Sequence, residues 1–225
     1  MPARLDLAEA IARRAGGAIA LGAAALATPG ILGSTRTDGP AVGRPEAVFT
    51  PARLLVVTLG WVGMAAVAWR PLPIRPGPLA RAALLVLGAL AYVAGFALAI
   101  AGRVALGRNY RPSSTIGVAL APDHRLVTHG PFRLVRHPMY LGLTLAALGA
   151  LAVYRTWTTA LFVLQTPVLV VRARREDALL ALTYGEAWQR YAEQVPSWLP
   201  RASTRWDRGA GQAPDAAASG ECAAG

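Results

Sequence analysis

The residue types and spacings able to do chemistry in this 225-residue chain fall late, in two polar runs beside apolar stretches. The first, residues 123–140, holds His124, Arg125, His129, Arg136 and His137 and leads directly into an apolar stretch opening at Pro138. Proline suits the first turn of a helix, because the N–H it lacks would be unpaired there anyway. His137 is therefore predicted at the N-cap, beside free backbone N–H groups and the positive end of the helix dipole. With Arg136 it makes a place where a carboxylate could be held. The competing reading is that Arg136 and His137 only anchor the helix at lipid headgroups. The second run follows residue 171. It places Arg172 and Glu176 four apart on one helix face, ahead of Leu180, Tyr184, Trp188 and Tyr191 at helical spacing, with Gly185 interrupting. Such an Arg–Glu pair is usually a surface salt bridge worth about 0 to 1 kcal/mol, but directly after a membrane stretch a charge needs a reason.

Spacing argues against other chemistries. His124, His129 and His137 lack the i, i+4 arrangement of a helical zinc motif, so no metal is expected. The single cysteine, Cys222, excludes an internal disulfide framework. No Gly-rich phosphate loop, nucleophile elbow or Ser/His/Asp set is present in the sequence.

The elements that must position these residues read as membrane helices. Hydrophobic residues make up 54% of the chain and charged ones 16%, against roughly 25% charged in an average soluble domain. Mean hydropathy is +0.39. This composition points away from a disordered regulator or an ordinary soluble enzyme and toward an all-α integral membrane bundle. Uncharged apolar stretches cover residues 54–69, 82–102, 138–154 and 156–171, with a tight helical hairpin expected around Arg155. All 23 Lys-plus-Arg positions are arginine, and 13 of them lie in residues 103–137 or after 171. The positive-inside rule puts both regions in the cytoplasm. Parity then makes residues 15–32 a first helix with its N-terminus outside, giving about five transmembrane helices; an interfacial helix on the inner face is the alternative. The arginines sit between apolar runs instead of interleaving with aromatics, so nucleic acid is not an expected partner. Three regions result: residues 1–50, an N-terminal helix and loop without an assigned role; a membrane domain over 51–201; and an Ala/Gly-rich tail over 202–225, expected to be disordered.

At the polar runs the sequence resembles the isoprenylcysteine carboxyl methyltransferase and phospholipid methyltransferase family of integral membrane enzymes. The matching elements are His-x-Leu-Val-x-x-Gly-x-aromatic from His124 to Phe132, Arg-His-Pro-x-Tyr from Arg136 to Tyr140, and Arg-x-x-x-acid-acid-x-x-Leu-x-x-x-aromatic-Gly from Arg172 to Gly185. Tyr191 and a close from Val195-Pro196 to Pro200 follow. The resemblance spans roughly residues 80 to 200 and does not extend to residues 1–50.

The resemblance implies an S-adenosylmethionine pocket on the cytoplasmic side and a lipid or isoprenoid-type acceptor, a carboxylate, amine or thiol, entering from the bilayer. Carried over by motif, His124, Arg125, Leu126, Val127 and Phe132 would cradle the adenosine, and His137, Pro138, Met139 and Tyr140 would hold the methionine end. Glu176 would bind polar groups of the cofactor, and Arg172 would face the reactive head of the acceptor. The sequence departs from the family pattern at Asp177, which replaces a second Glu, at Phe132, which replaces a Tyr, and at Ser197, which replaces an Arg. An NADPH-dependent membrane sterol or enone reductase shares an Arg-His-Pro-like turn and an ending like Tyr184, Gly185, Trp188 and Tyr191, and a non-catalytic membrane protein could retain the fold. Those two stand as the alternatives.

Overall fold

The computed structural model describes residues 2–32, 41–42, 51–110, 118–119 and 124–200. Among the described residues the helices are α1 (Pro2–Leu32), α2 (Pro51–Val67), α3 (Pro78–Leu106), α4 (Pro138–Tyr154), α5 (Trp157–Leu164), α6 (Thr166–Tyr184) and α7 (Glu186–Gln194). Two short strands, β1 (Ala41–Val42) and β2 (Val118–Ala119), pair antiparallel. The chain is thus helical, as its hydropathy pattern requires. The tail over 202–225 and part of the 103–137 loop lie outside the described residues.

Small residues build the centre of the bundle. The buried face of α3 reads Leu85, Gly88, Tyr92, Gly95, Ala99 and Gly102, and it meets Gly142, Ala146 and Gly149 of α4. At Gly95 a Cβ would fall 2.5 Å from the Ala146 nitrogen, and at Gly142 it would fall 2.7 Å from the Ala99 nitrogen, so the two backbones touch. Close backbone approach through small residues is how helices associate where lipid removes the hydrophobic drive between them. The opposite face of α3 exposes Val86, Leu87, Leu90 and Val93. An apolar face of this kind suits hydrocarbon better than water. At 29 residues α3 is long and apolar enough to cross a membrane, and α4 is a shorter apolar helix.

α3 and α4 run antiparallel, with Pro138 and Met139 against Gly102 and Val153 against Gly88. The hairpin after α4 falls where expected. Arg155 adopts left-handed geometry (φ 52°, ψ 47°), and Thr156 opens α5 with a reciprocal capping box to Thr159. Residues after α2 lie along this turn: Thr158 N–H donates to the Ala68 carbonyl at 3.1 Å and Leu72 N–H to the Arg155 carbonyl at 2.8 Å. One end of the bundle therefore gathers the C-terminus of α2, the N-terminus of α3 and the α4–α5 turn. The other end carries residues 124–137, the polar half of α6, and α7.

Two expectations need correction. Residues 156–171 are not one uninterrupted helix: the path breaks at Gln165, between α5 and α6. Pro167 causes the break, since it has no N–H for the Val163 carbonyl, and the Thr166 hydroxyl donates to that carbonyl instead, at 2.8 Å. The first helix also begins well before residue 15, at Pro2, and it packs against both α3 and α4.

Candidate functional site

His137 is the N-cap of α4, but its imidazole does not cap the helix. It is 4% exposed and turns to α6, where Nε2 lies 2.9 Å from Asp177 Oδ1. An ionised carboxylate only accepts, so Nε2 carries the hydrogen. The ring is thus a strut to α6. The helix terminus itself keeps its donors. Pro138 has no N–H, the His137 N–H goes to the Ser197 carbonyl at 3.2 Å, and the first-turn N–H groups of Met139 and Tyr140 have no intrahelical acceptor.

Arg136 binds this strut from the other side. Its Nη1 is 3.1 Å from Asp177 Oδ2, it donates to Ser197 Oγ, and its guanidinium lies 5.5 Å from the Trp188 ring centroid. Its backbone N–H donates to the Pro196 carbonyl at 2.9 Å. Asp177 and Ser197, two departures from the family pattern, thus meet on one arginine. The buried Nε of Arg136 has no hydrogen-bond partner among the described residues.

The α6 face brings Arg172 and Glu176 to the same place. Arg172 Nε is 3.4 Å from the Tyr140 hydroxyl, and Glu176 Oε2 is 3.8 Å from His137 Nδ1. Tyr140 stacks on His137 with ring centroids 5.7 Å apart and planes 15° apart. His137, Tyr140, Arg172 and Glu176 therefore form one cluster, assembled by the α4 N-terminus and the polar half of α6.

His124 docks farther along α6, on Tyr184, about two turns or 12 Å of helix rise from Glu176. The Tyr184 hydroxyl donates to the His124 carbonyl at 2.6 Å and sits 2.7 Å from His124 Nδ1. Its single hydrogen is thereby committed, so Nδ1 of His124 is the donor of the second bond. Arg125 is exposed and exchanges backbone hydrogen bonds of 3.1 and 3.2 Å with the Asn109 side chain. Leu126 packs on a buried cluster of Leu179, Leu180, Trp188, Tyr191 and Val195. Val127, Phe132 and Pro138 are buried, and Tyr191 donates its hydroxyl to the Phe132 carbonyl at 2.8 Å. Burial pushes the phenol of Tyr191 above its ordinary range. The sequence reading missed Asp177 as a partner of both Arg136 and His137. Its only signal was the adjacent acid pair, which local spacing cannot connect to a residue so far back in the chain.

Directly beyond this cluster, toward the bundle centre, is an apolar cavity of about 550 Å³. Leu143 and Leu169 line it, one turn from Tyr140 and Arg172 respectively, along with Tyr92, Phe96 and Phe162. Its size is within the about 300 to 1,000 Å³ of small-molecule sites.

Residues 83–187 match the phospholipid methyltransferase family. Among similar proteins is the protein-S-isoprenylcysteine O-methyltransferase of Schizosaccharomyces pombe, 36% identical over 80 residues, or 35% of this chain and 34% of that protein. The cobalt-zinc-cadmium resistance protein CzcN of Cupriavidus metallidurans is 36% identical over 128 residues, covering 53% of this chain and 50% of that protein. Protein-S-isoprenylcysteine O-methyltransferase A of Arabidopsis thaliana is 28% identical over 115 residues, covering 50% and 57%. The chain thus spans between about a third and somewhat over half of the length of these relatives.

Proposed function

We propose that the chain is a member of the phospholipid methyltransferase family that its residues 83–187 match, and that it transfers a methyl group from S-adenosylmethionine to an isoprenoid or lipid acceptor at the cytoplasmic membrane face. The observation that carries this reading is the position of Tyr140 and Arg172 one turn, and of Glu176 two turns, beyond an apolar cavity. A reactive head could meet the polar cluster while its hydrocarbon chain stays in the bundle.

The donor and acceptor set fits the cofactor. The N–H groups of Met139 and Tyr140 and the orphaned Nε of Arg136 are donors for a carboxylate. Glu176 accepts from an ammonium. His124, Arg125, Leu126, Val127 and Phe132 are assigned to the adenosine side. Bound there, the cofactor supplies a methyl group already activated by its sulfonium. The chain's own work is then alignment and exclusion of water. Arg172 grips a carboxylate acceptor with its planar fork, and such an acceptor needs no general base. We assign α1, α2, α3, α4 and the kinked α5–α6 pair to five membrane spans; the arginine excess in residues 103–137 and after 171 supports the cytoplasmic assignment.

The test is equilibrium binding of S-adenosylhomocysteine and of NADPH to the purified protein, with methyl transfer from radiolabelled S-adenosylmethionine to a lipid extract and to farnesylcysteine. Binding of the former and label in an extractable lipid product are expected. Binding of NADPH alone would overturn the reading in favour of a reductase.

A further inference from the structure

α1 lies outside the residues that carry the family match, yet it is fixed to the bundle at two levels and walls the cavity. Glu9 is 3% exposed and sits among three guanidiniums. Arg81 Nε donates to its Oε2 at 2.6 Å, and Arg13 and Arg155 pair with its Oε1. Arg81 also reaches Asp6 at 2.7 Å. A buried carboxylate is tolerated only when paired, and its removal would leave several arginines uncompensated. Glu9 thus ties α1 to the first turns of α3 and to the α4–α5 turn.

Two turns on, the Tyr92 hydroxyl donates to the Gly16 carbonyl at 2.8 Å and the Tyr154 hydroxyl to the Arg13 carbonyl at 2.6 Å. A Cβ on Gly16 would lie 2.5 Å from the Tyr154 hydroxyl, so α1 can approach this closely only with glycine there. Glu9, Arg13, Gly16 and Ala20 recur at i, i+4, i+7 and i+11, which keeps one stripe of α1 toward the bundle. Gly17 and Ala20 carry that stripe into the cavity lining. A Cβ on Gly17 would meet nothing within 4 Å, so the space beside it is open.

We propose that α1 is the wall that limits the length of the acceptor's hydrocarbon chain, with Gly17 and Ala20 setting the bore and Glu9 acting as the positioning residue that holds the wall in register. This rests on the reading of the cavity as the acceptor's chain site. The acceptor class it selects is a polar head on a single long apolar chain, isoprenoid or acyl.

The experiment measures binding of two probe series to the full-length protein in detergent: geranyl-, farnesyl- and geranylgeranyl-cysteine, and lysophospholipids of increasing acyl length. S-adenosylhomocysteine affinity is the reference. Gly17→Leu is expected to weaken the longer members of one series by about tenfold or more while sparing the shortest, the scale on which an apolar pocket discriminates added methylenes. The series that responds identifies the chain type. Glu9→Gln should flatten the length preference without changing S-adenosylhomocysteine affinity, an outcome that a merely stabilising ion pair would not give. Ala20→Cys, in a Cys222→Ser background, should be protected from maleimide by the longer probes. A loss independent of chain length, no loss at all, unprotected Cys at position 20, or wild-type protein that takes up neither series overturns the proposal. If length-dependent binding holds while no methyl is transferred, the wall stands and the methyltransferase reading falls.

Discussion

The imidazole of His137 and the carboxylate of Asp177 are joined by a 2.9 Å hydrogen bond, and the same carboxylate takes the guanidinium of Arg136. A single side chain on α6 therefore holds the two residues that open α4. Asp177→Ala should leave a buried imidazole N–H without an acceptor and cost about 1 to 3 kcal/mol of stability. Asp177→Asn, which keeps one acceptor oxygen, should cost less. Thermal unfolding in detergent reads both, and an unchanged midpoint for Asp177→Ala would mean the bond contributes nothing.

Arg172 and Glu176 share a helix face and both reach Tyr140, and Glu176 also lies 3.8 Å from His137 Nδ1. Arg172 is expected to orient the acceptor and Glu176 to bind the cofactor. Arg172→Ala should then depress turnover with S-adenosylhomocysteine affinity nearly intact, whereas Glu176→Gln should mainly weaken that affinity. Arg172→Lys keeps the charge but loses the two-point fork, and it should also be impaired. A simple surface pair predicts at most about 1 kcal/mol of stability from either change and unaltered catalysis.

The α4 boundaries could be read from sequence because they are local: Pro138 fixes the start, and the hydropathy drop at Arg155 marks the end. The pairing of α3 with α4 had a local signal too, in Gly88, Gly95 and Gly102 at seven-residue spacing. The break at Gln165 was hidden because an apolar run containing one proline still looks continuous to a hydropathy count. The packing of residues 2–32 onto the bundle was hidden for a different reason. Glu9 finds Arg81 and Arg155 across 72 and 146 residues, and no spacing rule connects charges at such separations. The cluster of Tyr140, Arg172 and Glu176 was visible as motif positions, but only the antiparallel course of α4 and α6 sets it beside the cavity.

Alkaline pH should destabilise the fold through Tyr191, whose buried phenol donates to the Phe132 carbonyl. Its ordinary pKa is 10.0, and burial raises it in the folded state. The folded protein therefore holds this proton more tightly than the unfolded chain. That contribution is complete below pH 10.0 and is lost as pH rises from there toward the folded-state value. Tyr191→Phe should flatten the fall of unfolding free energy above pH 10.0, while losing about 0.5 to 1.5 kcal/mol of hydrogen bonding near neutrality. An equally steep alkaline fall in Tyr191→Phe would assign the effect to other phenols.

The break between α5 and α6 offers the sharpest test, because two neighbouring residues address one carbonyl. Pro167 cannot donate to the Val163 oxygen, and the Thr166 hydroxyl does so at 2.8 Å. Thr166→Val removes that donor at nearly constant volume and should cost about 0.5 to 1.5 kcal/mol, the net worth of one hydrogen bond to a half-buried carbonyl. Pro167→Ala restores a backbone N–H that can reach the same oxygen, so the double change should cost much less than Thr166→Val alone. That non-additivity is what a double-mutant cycle on a shared acceptor measures. Catalysis should respond differently. A straightened α5–α6 would re-aim the face that carries Arg172 and Glu176 toward α4, so Pro167→Ala is expected to lower turnover more than stability. Strict additivity of the two changes, or full activity in Pro167→Ala, would show that the kink neither shares the Val163 carbonyl nor positions the site.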